Sequence, residues 1–324
     1  MVAIGTFLLG VVHGPRGLIQ CPAMHATSAM TRLDALRLIV LGAIWGSSFM
    51  FMRLLAPVLG AIWTAELRVA IAGIALCGYF IVMRLDCEWR RFWKQYLIVG
   101  IINTSIPFVL FSYAALHIPA AYSAIVNATT PLFGAIFAAI WLRERLTRLK
   151  LLGIGLGVAG VAIGTGAGGE PLTPEVMLSV LACAGAAICY GLGGVYVRKQ
   201  VQGANSKILA GTSQLLSGLV LLPLALAVPM RTTPTPSIWV IAFVFSLVCS
   251  AVAYILYYGL MERIGPTRTL TVTFLVPVFA MFWGIVLLGE PIRPHMLIGA
   301  AIVIGSTMLV LGFKPRAAMK PARE

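Results

Sequence analysis

The chain has 324 residues, 60 % of them hydrophobic and only 10 % charged. A soluble protein carries about 25 % charged residues, so this chain has too few to cover a water-facing surface and needs lipid as its solvent. Its formal net charge of +14 is dealt out a few residues per loop, which excludes the clustered basic face of a nucleic-acid binder.

The N-terminal residues come first. The run VAIGTFLLGVV at 2–12 is apolar but too short to span a bilayer. No basic segment precedes it, as one would in a signal peptide. Residues 1–35 therefore read as a disordered extension from an upstream start codon, with Met24 or Met30 as the working start.

A membrane-spanning helix needs about 20 mostly apolar residues. Runs of that kind predict ten spans, at 38–56, 63–83, 95–115, 120–142, 149–166, 176–197, 208–228, 238–260, 268–289 and 294–313. The run from Gln95 to Leu142 has no charged side chain and is divided by His117-Ile118-Pro119. Pro119 suits a first helical turn, where its missing N–H costs nothing, and Ile264-Gly265-Pro266 repeats the arrangement.

Lys and Arg alternate with the spans. One set of connections holds Arg84, Arg90, Arg91 and Lys94, then Arg143, Arg145, Arg148 and Lys150, then Arg198, Lys199 and Lys207, then Arg263 and Arg268. The other holds only Arg53, Arg68, Arg231 and Arg293. Cytoplasmic loops carry the excess of Lys and Arg, so both termini are expected in the cytoplasm of a multi-pass inner or plasma membrane protein. Residues 314–324 would be a cytoplasmic tail.

The chain repeats itself. At an offset of 146, Pro131 meets Pro277, Glu144 meets Glu290 and Gly153 meets Gly299; at 145, Gly46 meets Gly191 and Arg53 meets Arg198. This defines two halves, 36–166 and 176–313, joined by an external Gly/Pro-rich linker at 167–175. Five spans is an odd number, so the second half enters the membrane from the other side. The expected fold class is an all-α integral membrane protein: ten transmembrane helices as two inverted five-helix repeats, a layout of many secondary transporters.

The stretches GAIWGSSFMFMRLLAP (42–57), ELRVAIAG (66–73) and LRERLTRLKLLGIGLGVAGV, closing the first half, resemble the EamA-type repeat of the drug/metabolite transporter superfamily. LLGEPIRPHMLIGAAIVIG resembles it again in the second half, where Gly193 and Gly194 replace Ser48 and Phe49 of the first. The resemblance implies a ten-helix transporter of small metabolites or drugs, acting as an exporter.

Polar side chains inside spans are costly and usually face a bundle interior or a cavity. The fourth span carries Ser123, Asn127 and Thr130 on one stripe, and the ninth repeats it more weakly with Thr269 and Thr273. Trp45 and Ser48 share a face of the first span, Asn103, Pro107 and Phe111 a face of the third, and Tyr190, Tyr254 and Tyr257 add rings. Trp45, Ser48, Asn103, Phe111, Asn127, Thr130, Tyr190, Tyr254, Tyr257 and Thr273 are thus the candidate cavity. Helix packing is the competing explanation for hydroxyls and rings. The amides Asn103 and Asn127 favour the cavity, because a dry helix interface rarely satisfies up to four hydrogen bonds.

Pro131 and Pro277 each free a carbonyl one turn earlier, at Asn127 and Thr273, for a substrate, a water or a neighbour; each marks a hinge or a fixed bend. No charged residue is expected near the middle of a span. Arg53, Glu66 and Arg68 are expected near the outer surface, snorkelling or paired, with Glu66 the one candidate for proton coupling. That distribution points to a neutral or zwitterionic, partly apolar cargo. The cysteines form no C-x-x-C, and the four histidines are isolated, so no metal, cofactor or catalytic site is expected. The alternative reading is a passive facilitator or channel; an intramembrane enzyme lacks the acids or nucleophile it would need. Substrate identity and homo-oligomerisation are open.

Overall fold

A computed structural model describes residues 30–166 and 173–312; the extension before Met30 and most of the 167–175 linker lie outside them. Among the described residues the ten long helices are α1 Arg32–Leu59, α2 Ala61–Val82, α3 Trp89–Ala114, α4 Ala120–Leu142, α5 Arg148–Thr165, α6 Pro174–Gln200, α7 Ser206–Ala227, α8 Pro236–Ile264, α9 Val272–Leu288 and α10 Pro294–Leu311. All but α9 are long and apolar enough to cross a membrane; α9 has 17 residues and follows a single turn, Pro266–Thr269. No strand occurs among the described residues.

The sequence explains where the helices start. Thr31 caps α1 in a reciprocal box with Asp34, and the side chains of Thr147, Thr173 and Asn205 cap α5, α6 and α7. Each cap oxygen satisfies one N–H that would otherwise face lipid headgroups unbonded. Pro119 stands at the N-cap of α4 rather than in its first turn. The α1–α2 connection is one residue, Gly60, at φ +83°, a conformation that costs other residues strain.

Contacts between neighbouring ends set the up-down order. Asp34 pairs with Arg263 at 3.0 Å and Lys207 with Glu262 at 2.7 Å at the Lys/Arg-rich end, hereafter the basic end. At the opposite end Trp63 donates to the Val228 carbonyl at 2.9 Å and Tyr122 meets His295 at 3.1 Å.

Helix α1 packs on α9, and α6 on α4; α5 packs on α10, and α2 on α7. Exchanging each helix for its counterpart in the other half turns the first pair into the second and maps the others onto themselves. That is the pattern a pseudo-two-fold axis in the membrane plane produces. The axis runs through the α2–α7 crossing, where Gly73 lies against the Leu215 backbone and its equivalent Gly218 against that of Ala70. Gly46 likewise brings α1 onto Phe279 and Ala280, and Gly191 brings α6 onto Phe133 and Gly134. These small residues let backbones approach, as membrane helix contacts require. Leu and Ile side chains such as Ile74, Ile81 and Leu226 point outward, largely exposed, as expected of lipid-facing surface.

Two features of the backbone have no counterpart in the sequence reading. Helix α3 contains a π turn at Ile101–Ser105 and α8 one at Leu247–Val252, at equivalent positions of the two repeats. Insertions of this kind frequently lie at functional sites.

Candidate functional site

The candidate residues fall into two runs of aromatic contacts around the π turns. Trp45 packs on Tyr257 at 5.2 Å and edge-on to Tyr254 at 6.3 Å, and Tyr254 stacks on Tyr258 at 6.2 Å. On the other side Phe49 meets Phe111 at 5.5 Å, and Phe111 stacks on Tyr190 at 6.1 Å. All are buried. Asn103, on the α3 π turn, occupies the space a Cβ on Gly193 would need. The glycine that replaces Ser48 in the second repeat therefore makes room for this amide.

Between the two runs lies a residue assigned by its position in the chain to the outer surface. Arg68 is 2 % exposed, about 10 Å along α2 at 1.5 Å per residue. Its Nε donates to Ser250 Oγ at 3.1 Å and its Nη2 to Ser48 Oγ at 3.4 Å, with Met52 Sδ 4.0 Å from Nη1. The guanidinium lies 3.8 Å from the Phe108 ring centre and 4.7 Å from that of Phe245. Glu66, expected at the outer mouth, is also buried, at 3 %, and its Oε2 has no hydrogen-bond partner. Neither side chain snorkels, and the expectation of a site without mid-span charge fails.

Several buried polar atoms have no hydrogen-bond partner among the described residues: Trp45 Nε1, both amide atoms of Asn103, Asn127 Oδ1 and Thr273 Oγ1. Such atoms are rare in folded proteins, because each forfeits its hydration without compensation. Thr130 differs. Its hydroxyl donates to the Asn127 carbonyl at 2.7 Å, so the carbonyl freed by Pro131 is taken up within α4. Thr129 does the same for Val126 at 2.6 Å, and Thr307 on α10 for Ala128 at 2.9 Å. Helix α4 is interrupted there, between Asn127 and Thr130. Pro277 instead lies inside the continuous α9.

The two ends of the molecule carry equivalent ion pairs. At the opposite end Glu290 faces Arg53 Nε at 3.5 Å and accepts from the Ala120 N–H at 3.1 and 3.3 Å, while Arg53 donates to the Ala115 carbonyl at 2.7 Å. Burial pushes the Glu290 carboxyl above the usual glutamate range, against the opposing pull of the Ala120 N–H and Arg53. At the basic end Glu144 pairs with Arg198, and with Lys150 at 3.9 Å. This pair stands at a cavity of about 200 Å³ bordered by Pro131, Gly134, Gly191 and Gly194, one turn from Tyr190.

The sequence model of the EamA-like transporter family matches residues 34–165 and 177–312, one copy per repeat. The chain belongs to the EamA-like transporter family. Among its relatives is YvbV of Bacillus subtilis, named an uncharacterized transporter, 25 % identical over 283 residues that cover 85 % of this chain and 90 % of the relative. Another, of Streptantibioticus cattleyicolor, is named a "probable terminal-alkyne amino-acid exporter"; it is 25 % identical over 267 residues, 82 % of this chain and 89 % of the relative. A solved crystal structure, titled only as that of a protein, superposes with a TM-score of 0.62 at 17 % identity, covering 86 % of this chain and 96 % of that one. It shares the fold. In this member of the family, Trp45, Tyr254 and Tyr257 gather in one run and Phe111 and Tyr190 in the other, and Ser48 is engaged by Arg68. Asn127 and Thr273 sit on the neighbouring helices α4 and α9, which pack together.

Proposed function

We propose that the chain is a secondary transporter that moves a small neutral or zwitterionic, partly apolar metabolite or drug by alternating access, as an exporter of the inner or plasma membrane. The observation that carries the reading is the pair of symmetry-equivalent closures, Glu290–Arg53 at one end and Glu144–Arg198 at the other, on helix pairs that the pseudo-two-fold axis exchanges. Both pairs are formed together in this structure, and the opening of either one while its twin stays shut is what alternating access requires. The Lys/Arg asymmetry of the loops supports placing the basic end, with both termini, in the cytoplasm. The cavity beside Glu144 is then an inward vestibule, and the aromatic cluster with Asn103 and Asn127 is the binding site. The break beside Pro131 serves as the hinge, and Pro277 as its weaker counterpart. Glu66, buried with a bare oxygen, is the coupling group. An exporter is also what the name of the Streptantibioticus relative says of that protein.

Reconstitution into liposomes tests this. A carrier gives saturable uptake that accelerates when substrate is loaded on the far side. Unsaturable flux without that acceleration would favour the facilitator or channel, and unchanged resistance and accumulation in cells with and without the protein would refute export.

A further inference from the structure

The most unusual side chain in the bundle is Arg68. An arginine near a membrane surface normally extends its charge to water, and one held inside a span is expensive enough to mark function by default. This one turns inward between α1, α2, α3 and α8, with Ser48, Ser250, Met52, Phe108 and Phe245 around it. The scaffold does not demand it: with Gly73 and Gly218 superposed, its equivalent is Ser213, and the same crossing is built there with a hydroxyl.

Its surroundings supply the second observation. Ser48, which accepts from the guanidinium, lies one turn from Trp45 on the same face of α1. The Trp45 Nε1–H is buried without a hydrogen-bond partner. The Trp45 ring, with Tyr254 and Tyr257, forms an apolar wall beside these donors. A cation and an N–H donor next to aromatic rings complement one kind of molecule: a carboxylate carried on an apolar or aromatic body. Arginine is the side chain best suited to a carboxylate, because its planar fork can donate two parallel hydrogen bonds. Its fixed charge also offsets the cost of bringing an anion into low dielectric.

We propose that Arg68 is the specificity-determining residue of the transport site and selects amphipathic carboxylates, zwitterionic ones included, over their neutral analogues. The proposal rests on the transporter reading, keeps its zwitterionic substrates and puts anionic carboxylates in place of the neutral ones. The test uses matched pairs that differ only in charge, hydrocinnamate with hydrocinnamide and isocaproate with isocaproamide, titrated against the purified full-length chain by tryptophan fluorescence and thermal shift. Each carboxylate is expected to half-saturate at a concentration about tenfold or more below its amide, equivalent to about 1.4 kcal/mol. Arg68→Gln should bring the ratio to about one while amide binding persists, and Arg68→Lys should keep part of the preference. Equal affinities in the wild type, binding of neither member of a pair, or an unchanged ratio in Arg68→Gln would overturn the proposal. If Arg68→Gln does not fold, the wild-type pairs decide alone. Saturable counterflow of amides but not carboxylates would refute Arg68 selection and leave transport standing. Carboxylate binding without any flux would do the reverse.

Discussion

Gly46→Ala probes the contact that joins the halves. A Cβ built on Gly46 falls 2.6 Å from Phe279 Cβ, 2.8 Å from the Ala280 nitrogen and 2.9 Å from the Phe279 carbonyl carbon. Ordinary contact begins near 3.5 Å, so α1 and α9 must separate by roughly 1 Å. Two of the three obstructing atoms are backbone and cannot rotate aside. Overpacking of this kind costs about 1–3 kcal/mol. Gly191→Ala meets the equivalent obstacle, 2.7 Å from the Gly134 nitrogen and 2.8 Å from Phe133 Cβ, and should cost a similar amount. Gly305 is the control: a Cβ there meets nothing within 4 Å, and alanine is the better helix former. Thermal unfolding of the purified proteins in one detergent should show Gly46→Ala and Gly191→Ala lowered by several degrees, and Gly305→Ala unchanged or raised. If Gly46→Ala is as stable as Gly305→Ala, α1 and α9 do not pack as described, and the swapped helix pairs lose their basis.

Three further outcomes follow from the charged groups. A double-mutant cycle on Glu290 and Arg53, read by unfolding, should give a coupling of about 1 kcal/mol, since Arg53 is about one-third exposed and solvent screens the pair; additive single mutants would mean no closure there. Because burial raises the Glu290 carboxyl, the folded state holds that proton more tightly than the unfolded chain. Its contribution to stability is complete below the ordinary glutamate range and lost as pH rises through the raised value. Relative to Glu290→Gln, the wild type should therefore gain stability on acidification; parallel pH profiles would show that Glu290 is not the group responsible. Glu66→Gln should make flux indifferent to a pH gradient that drives the wild type, and a variant still driven by the gradient would remove Glu66 from coupling.

Spans, halves and end-to-end order were legible because lipid imposes them: about 20 apolar residues per crossing and Lys and Arg kept to one side. The fate of the two prolines was not. Pro131 and Pro277 are equivalent in sequence, yet only the first stands beside a break. Threonines decide this. Thr129 and Thr130 give their hydroxyls to carbonyls one turn back, at Val126 and Asn127. In α9 the matching positions are Leu275 and Val276, and the interruption moves to Leu270 and Thr271, beside Thr269 and Thr271, which bond to Gly265 and Arg268. Side-chain hydroxyls that compete for helix carbonyls loosen the ladder where they sit. Arg68 was misplaced because its distance from the helix end was weighed without its rotation about the helix. The rotation was readable: Ala65 and Ala72, one turn before and after it, share its face and mark the packed side of α2. The π turns leave no mark in composition, so the placement of Asn103 and Ser250 needed coordinates.

The two closures share a frame but not a chemistry, and the difference sets which end opens. Glu290 adds the Ala120 N–H to its arginine. The position equivalent to Ala120 is Pro266, which has no N–H to give. Glu144 has Lys150 in compensation, but at 3.9 Å and with both side chains about 30 % exposed, such a pair contributes about 0.2–1 kcal/mol. A backbone hydrogen bond to a charged group contributes about 1.5 kcal/mol or more, roughly tenfold in population. If the closures alternate, the pseudo-symmetric states are unequal, and the state shut at Glu290 with the vestibule at Glu144 is favoured without substrate. A substrate must then supply at least that difference through contacts made only in the other state, since a ligand that binds both states equally shifts neither.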